Sequence, residues 1–391
     1  MADGTGAGAA VDFGLAERFR QLADNLGGAF AERKEVIEGM VCAALAGEHV
    51  LLLGPPGTAK SALTRAFCGS VEGTQYFEWL LSKFTAPEEL FGPISLSALK
   101  ADRFERVTTG KLPVAHVAFL DEIFKSNSGV LNTLLTALNE RKFHNGAGAV
   151  DIPLRMVVGA SNELPEGPEL GALYDRFLVR YMVDRVRTPG AFFNVLLSGE
   201  GDLPEVISLD GWDAARAEVA RVTFGKPAQQ AFWQLRQELG KESILPSDRR
   251  LKRATKLVKA NAWLSGDAEA GEEHMGVLAD VLWDAPEQRE TVAKVVGAIS
   301  SGTVGEASKV RDLVLNAVKN LPAPPSSGPT KEYQDALVAA NKEGKRALNK
   351  LRDMAEGLKN QTKANKIRAM MGQLEEALAP VRESARQALG L

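Results

Sequence analysis

Cysteine is nearly absent: Cys42 and Cys68 are the only two among 391 residues. That is too few for a disulfide framework or a four-thiolate metal site. Four scattered histidines (His49, His116, His144 and His274) contain no H-x-x-x-H pair, which argues against a zinc enzyme. An excess of one charge is also missing. Lys and Arg number 47 against 50 Asp and Glu, for a net charge of −3. Such a balance announces neither a nucleic-acid partner nor a disordered acidic chain. There is no long hydrophobic run. The most apolar stretch, Met40 to Leu53, is interrupted by Glu48 and His49 and is too short to span a bilayer. Residues 1–10, MADGTGAGAA, lack the basic start of a signal peptide and read as a flexible tail, so the expected location is the cytoplasm.

What remains is ordinary globular material, 45% apolar and 25% charged, long enough for two or three domains. Apolar spacing is helical from about Val11 to Ala46. His49–Leu53 (HVLLL) then reads as a buried strand that runs into Gly-Pro-Pro-Gly. Further strand-like runs are Val117–Leu120, Met156–Ala160 and Phe177–Met182, with helical spacing over Val130–Leu138 between the first two. Strands alternating with helices predict an α/β domain with a parallel sheet covered on both faces, here residues 11–187. A helical lid is expected over 188–270, with helices at 228–239 and 247–264. A helical segment follows over 271–320, including a helix at 276–298. LPAPPSSGPT (321–330) marks a linker. Residues 331–391 carry heptad spacing that predicts a helical hairpin or one long helix, with a net charge of +4.

The chemistry concentrates in a few places. Gly54-Pro55-Pro56-Gly57-Thr58-Ala59-Lys60-Ser61 fits G-x-x-x-x-G-K-[ST] except for Ala59, and it lies between a strand and a helix. Backbone N–H groups from Gly54 to Ala62 at a helix start suit a phosphate. Lys60 would neutralise its oxygens and Ser61 would ligate magnesium. A methyl at 59 is compatible with this if the residue keeps helical φ. Val117-Ala-Phe-Leu-Asp121-Glu122 is an apolar strand ending in two carboxylates: Asp121 suits the metal shell and Glu122 can polarise a water. Asn162 stands at the tip of a third strand. Arg176 stands just before the last strand and Arg180 within it, and Arg249 and Arg250 open a helix after Ser247, from which an arginine can reach a nucleotide between the domains.

In this order GPPGTAKS, FLDE, ASN, DRF and SDRR resemble the AAA+ ATPases of the MoxR group, and the chain is most similar to the RavA subfamily. The stretch KFTAPEELFGPISLSALKADRFER, followed by TTGKLPVAHVAFLDEIFKSNSGVLNTLLTALNER, carries much of that likeness, which covers residues from about 30 to 265. The resemblance implies a sheet ordered 5-1-4-3-2, ATP and Mg2+ as ligands, and a ring, usually of six copies. It makes Lys60 and Ser61 part of Walker A, Asp121 and Glu122 Walker B, and Asn162 sensor 1. Arg176 matches the finger serving a neighbouring copy and Arg249 matches sensor 2, with Arg180 and Arg250 as close competitors. It also implies an insertion between Pro87 and Leu112 carrying a β-hairpin, a second hairpin near Arg141–Pro153, and a partner with a von Willebrand factor A domain. The helical pattern of 321–391 departs from RavA, whose C-terminal region holds a compact β-rich domain.

Three functions stay in play: a remodelling ATPase acting on protein complexes, an AAA+ motor on nucleic acid, and a nucleotide-gated scaffold. The brief Arg141-Lys142-Phe143-His144 stretch offers little basic surface for the second, and Glu122 argues against the third. The absence of an N-K-x-D motif disfavours a GTPase.

Overall fold

Every residue of His49–Leu53 (β1) is buried, so this strand needs a neighbour on each side and cover on both faces. The computed structural model, which describes residues 13–146, 148–197, 203–204, 206–322, 330–357 and 361–389, supplies both. Tyr76–Leu80 (β2), Val117–Asp121 (β3), Met156–Ser161 (β4) and Phe177–Met182 (β5) complete the sheet. The order is β5-β1-β4-β3-β2 with every neighbouring pair parallel, as the family resemblance implies. In register, Leu53 lies opposite both Ser161 and Met182, so the loops leaving β1, β4 and β5 meet at one edge. β3 and β4 pair from Val117↔Met156 to Leu120↔Gly159, which brings the tip of β3 to the same edge.

The helical run expected over 11–46 divides into Gly14–Ala29 and Lys34–Ala46. Between them Glu32 takes a left-handed φ of 56°, which breaks the helix. The second helix ends where Gly47 is left-handed (φ 69°), a common helix stop. That helix lies close on β5: a Cβ placed on Gly39 would stand 1.8 Å from the Tyr181 hydroxyl. The insertion at 87–112 holds helices Pro87–Phe91 and Leu96–Leu99 and one antiparallel bridge, Ile94↔Arg106, in place of a laddered hairpin. The second hairpin is present, pairing Lys142–Asn145 with Gly148–Asp151 around left-handed Gly146.

The helices within the expected lid are Leu209–Arg221, Lys226–Lys241 and Asp248–Leu264. The single helix expected over 276–298 is broken into a 3-10 stretch, Glu272–Asp280, a short turn at Pro286–Gln288 and a helix, Arg289–Ser300. Pro286 in the middle cannot donate to a continuing helix. Two contacts fix the lid to the sheet domain. Trp212, fully buried, donates from Nε1 to Ala44 O at 3.1 Å. Glu48, 2% exposed, receives Arg253 at 2.6 Å and Lys256 at 3.1 Å. The acidic residue that interrupted the apolar run is thus a buried anion held by two lid cations.

The chain separates into two compact units, residues 1–296 and 297–391. Helix Gly302–Lys319 therefore belongs with the tail rather than with the lid. Its Val314 shares a core with Leu348 and Leu351 of helix Lys331–Glu356 and with Ile367, Leu374 and Leu378 of helix Gln361–Leu389. The last two helices are antiparallel, since Leu337 near the start of one packs with Val381 and Ala385 near the end of the other. The expected tail at 1–10 and most of the linker at 321–330 lie outside the described residues. Among the described residues no helix is long and apolar enough to cross a membrane.

The closeness of Gly39 to Tyr181 is testable. Gly39→Ala should destabilise the first unit by about 1–3 kcal/mol through overpacking, read as a lower urea midpoint at unchanged slope. An unchanged midpoint would mean that the helix does not bear on β5 as described.

Candidate functional site

β1 runs directly into the loop. Gly54, at φ 150°, donates its N–H to Ser161 O at 3.0 Å, and a Cβ there would meet Val183 O at 2.2 Å. Only glycine fits this close approach. Gly57 is left-handed (φ 76°) and faces open space. Ala59 corrects the sequence reading: it is not helical but left-handed, at φ 64° and ψ 24°, immediately before helix Lys60–Gly69. An alanine in that conformation costs roughly 1–2 kcal/mol, strain that the surrounding loop must offset. The Lys60 side chain is buried, and its ammonium donates to Gly54 O at 2.9 Å, Pro55 O at 2.8 Å and Thr58 Oγ1 at 3.4 Å. Burial pulls its pKa down, the nearby Asp121 and Glu122 carboxylates oppose the shift, and Arg33 adds to it.

The two carboxylates stand at the tip of β3. Asp121 Oδ1 accepts the Glu122 N–H at 2.9 Å. Glu122 is the second strained residue, left-handed at φ 50°. Its Oε2 is buried without a hydrogen bond, although the Lys125 ammonium lies 3.3 Å away. The two form an ion pair without a hydrogen bond. Strain and an unsatisfied buried acceptor on one residue mark a functional position. Asn162 follows β4 and lines a cleft of about 720 Å³ together with Gly54, Pro55, Pro56, Glu163 and Asp184. The donor set fits a phosphate with its metal ion: a glycine cradle, a buried ammonium, the Ser61 hydroxyl at the helix start, and two carboxylates facing them.

Sequence reasoning missed Arg33, which is 8% exposed. It donates to Asp184 O at 2.6 Å and Glu32 O at 3.0 Å, beside the cleft. The signal was the charged break Glu32-Arg33 between two helical runs, which periodicity alone cannot assign to a site.

The four arginines separate cleanly. Arg180, 1% exposed, donates to Phe177 O, Tyr174 O, Trp283 O and Asp284 and lies 3.5 Å over the Tyr174 ring. Arg250, 3% exposed, donates to Val281 O at 2.6 Å, to Leu178 O and to the same Asp284. Both are saturated inside the protein and hold the lid to β5. Arg176 differs, because its buried Nε has no hydrogen-bond partner. Arg249 is half-exposed, with loose contacts to Asn139 at 3.3 Å and Asp175 at 3.8 Å.

These two arginines lie far from the loop of their own chain. Arg253 bonds the carbonyls of Asp175 and Arg176 while pairing with Glu48, the residue before β1. Leu138, beside Asn139, contacts His49 Nε2 at the start of β1. Arg176 and Arg249 therefore stand at the N-terminal edge of the sheet, whereas the loop leaves the C-terminal edge, ~13 Å along β1. The reach of Arg249 to a nucleotide between the two domains of one chain is not what the geometry provides.

Asp267, Glu273 and His274 also come together. His274 Nδ1 accepts the Gly271 N–H, so Nε2 carries the proton and donates to Asp267. That makes the trio a local brace rather than a metal site. The arginine assignments predict opposite behaviour on truncation. Arg180→Ala should cost on the order of 3 kcal/mol by leaving the buried carbonyls of Tyr174, Phe177 and Trp283 without their donor, and Arg176→Ala less than about 1 kcal/mol. Equal melting temperatures for the two variants would contradict the division.

Comparison with known proteins supports this picture. Residues 17–203 match the family model described as the MoxR domain in the MoxR-vWA-beta-propeller ternary systems, and residues 229–296 match an AAA lid domain. An uncharacterised protein of Methanocaldococcus jannaschii is 38% identical over 306 residues, 77% of this chain and 82% of that protein. A second from the same organism is 36% identical over 309 residues, 78% and 81% of the two chains. A structural protein of Acidianus two-tailed virus is 30% identical over 216 residues, 52% of this chain and 35% of that protein. A crystal structure described as a candidate ATPase from Cytophaga hutchinsonii shares the fold with a TM-score of 0.59 at 18% identity, covering 73% of this chain and 94% of that one. With the P-loop, the paired carboxylates, the sheet order and the lid in place, the chain belongs to the MoxR family of AAA+ ATPases.

Proposed function

We propose that this protein hydrolyses ATP to ADP and phosphate in a ring, usually of six copies, and uses the cycle to remodel or assemble protein complexes, as RavA-type members of the family are thought to do. The observation that carries the reading is Glu122, left-handed at φ 50° with its Oε2 buried and held by no hydrogen bond, at the tip of β3 within electrostatic reach of Lys60. A carboxylate oxygen that no hydrogen bond occupies can accept a proton from an attacking water. Lys60 and the N–H groups that the non-proline residues of the Gly54–Ala62 loop supply would bind the phosphates, and Asn162 would orient the terminal one. Ser61 and Asp121 would hold Mg2+, which when bound neutralises phosphate charge.

The position of Arg176 and Arg249 supports action on the cleft of a neighbouring copy. Arg176 serves as the finger and Arg249 stands beside it. The family description names vWA proteins, which supports a partner with a von Willebrand factor A domain here. We place this activity in the cytoplasm.

The direct test is Glu122→Gln, which removes the base and retains the shape. ATP should still bind, while turnover falls by roughly 100-fold or more. Normal turnover in that variant would refute the assignment.

A further inference from the structure

Among the exposed apolar side chains of the first unit are two groups that the nucleotide site does not use. The first is on helix Pro189–Leu197, where Phe192, Phe193 and Val195 are 50%, 57% and 59% exposed. The two phenylalanine rings meet edge to face at 5.6 Å and form one knob. This helix is tied to the cleft. The Glu32 carboxylate accepts the N–H groups of Arg187 and Thr188 and the Thr188 hydroxyl. Thr188 in turn receives the N–H of Phe192 on its carbonyl. The next residue along the chain from Glu32, Arg33, bonds the carbonyl of Asp184 in the cleft wall.

The second group is Trp233, 56% exposed, on helix Lys226–Lys241, and Leu245, 79% exposed, in the loop that follows that helix. The Arg236 guanidinium lies 5.4 Å over the Trp233 ring and 3.8 Å from Asp248, the residue before Arg249. The first patch therefore borders the cleft and the second borders the arginine end of the same unit. Exposed Glu163 and Glu166 rim the cleft, while Arg176 and Arg249 mark the far end beside Asp175 and Asp248. An arginine end that acts on a neighbouring copy's cleft brings the two patches of different copies together. Each is placed to meet the other in a head-to-tail contact, which closes into a ring.

We propose that Phe192, Phe193 and Val195 of one copy pack on Trp233 and Leu245 of the next copy, forming the apolar seam that seats an arginine end over a nucleotide cleft. The proposal rests on the ring reading above and names the surfaces that build the ring. Half-exposed aromatic side chains of this kind are what a specific contact buries at its centre.

The test uses the full chain, a non-hydrolysable ATP analogue and mass measurement in solution. Two variants each break one patch: Phe192→Ser with Phe193→Ser, and Trp233→Ser with Leu245→Ser. Each alone should lose at least about tenfold of the assembled fraction while retaining its native melt. Mixed one to one, they should pair into a species twice the 42.0 kDa of the chain, because one intact knob then faces one intact seat. Single substitutions Phe193→Ser and Leu245→Ser serve if either double variant loses its native melt. A variant that assembles like the wild type, or a folded mixture that does not pair, overturns the seam and leaves the ring reading standing. A wild-type chain that stays at 42.0 kDa with the analogue overturns both.

Discussion

Because every pair of neighbouring strands in the sheet is parallel, all loops leaving the strands gather on one edge and all segments entering them gather on the other. β1 sits between β4 and β5, so its loop meets the tip of β4 directly and the tip of β3 one strand further. The Lys60 ammonium, the Asp121–Glu122 pair and Asn162 converge for that reason. The same constraint sends Arg176, at the entry to β5, to the opposite edge. One chain therefore carries the Lys60 loop and the Arg176–Arg249 pair on opposite edges of its sheet.

The energetic cost of the site is visible in two residues. Ala59 in the Lys60 loop and Glu122 after β3 adopt left-handed backbone, and each forfeits stability that a glycine or a helical residue would keep. Buried ion networks elsewhere keep the frame rigid enough to hold that strain. Glu48 binds two lid cations, and Asp284 receives both Arg180 and Arg250. Such networks add little net stability, but breaking one partner is costly. They fix the lid to the start of β1 and to β5, and with it the position of Arg249.

Much of this was legible in the sequence. Strands with both faces buried announce themselves as unbroken apolar runs, and Phe177–Met182 coincides with its expected limits. β2 does not announce itself. As an edge strand it buries only Phe77, so Tyr76-Phe77-Glu78-Trp79-Leu80 lacks the apolar run that marks its neighbours. The loop chemistry could be read because phosphate binding fixes residue types at fixed spacing. The conformation of Ala59 could not, since φ is set by the loop closing on Val183 and Ser161. Nor could sequence separate four arginines of equal charge. Arg180 and Arg250 differ from Arg176 and Arg249 only in the partners that the tertiary fold brings to them. The helix expected at 276–298 failed on one residue, Pro286, inside an otherwise helical pattern.

The central claim is that a working site is shared between copies, and the dependence of hydrolysis on chain concentration tests it most directly. ATPase activity per chain should rise steeply as concentration increases through the assembly range, then level off once rings are complete. Activity per chain that stays constant from dilute monomer to concentrated protein would contradict the account, because a single chain would then be sufficient for catalysis.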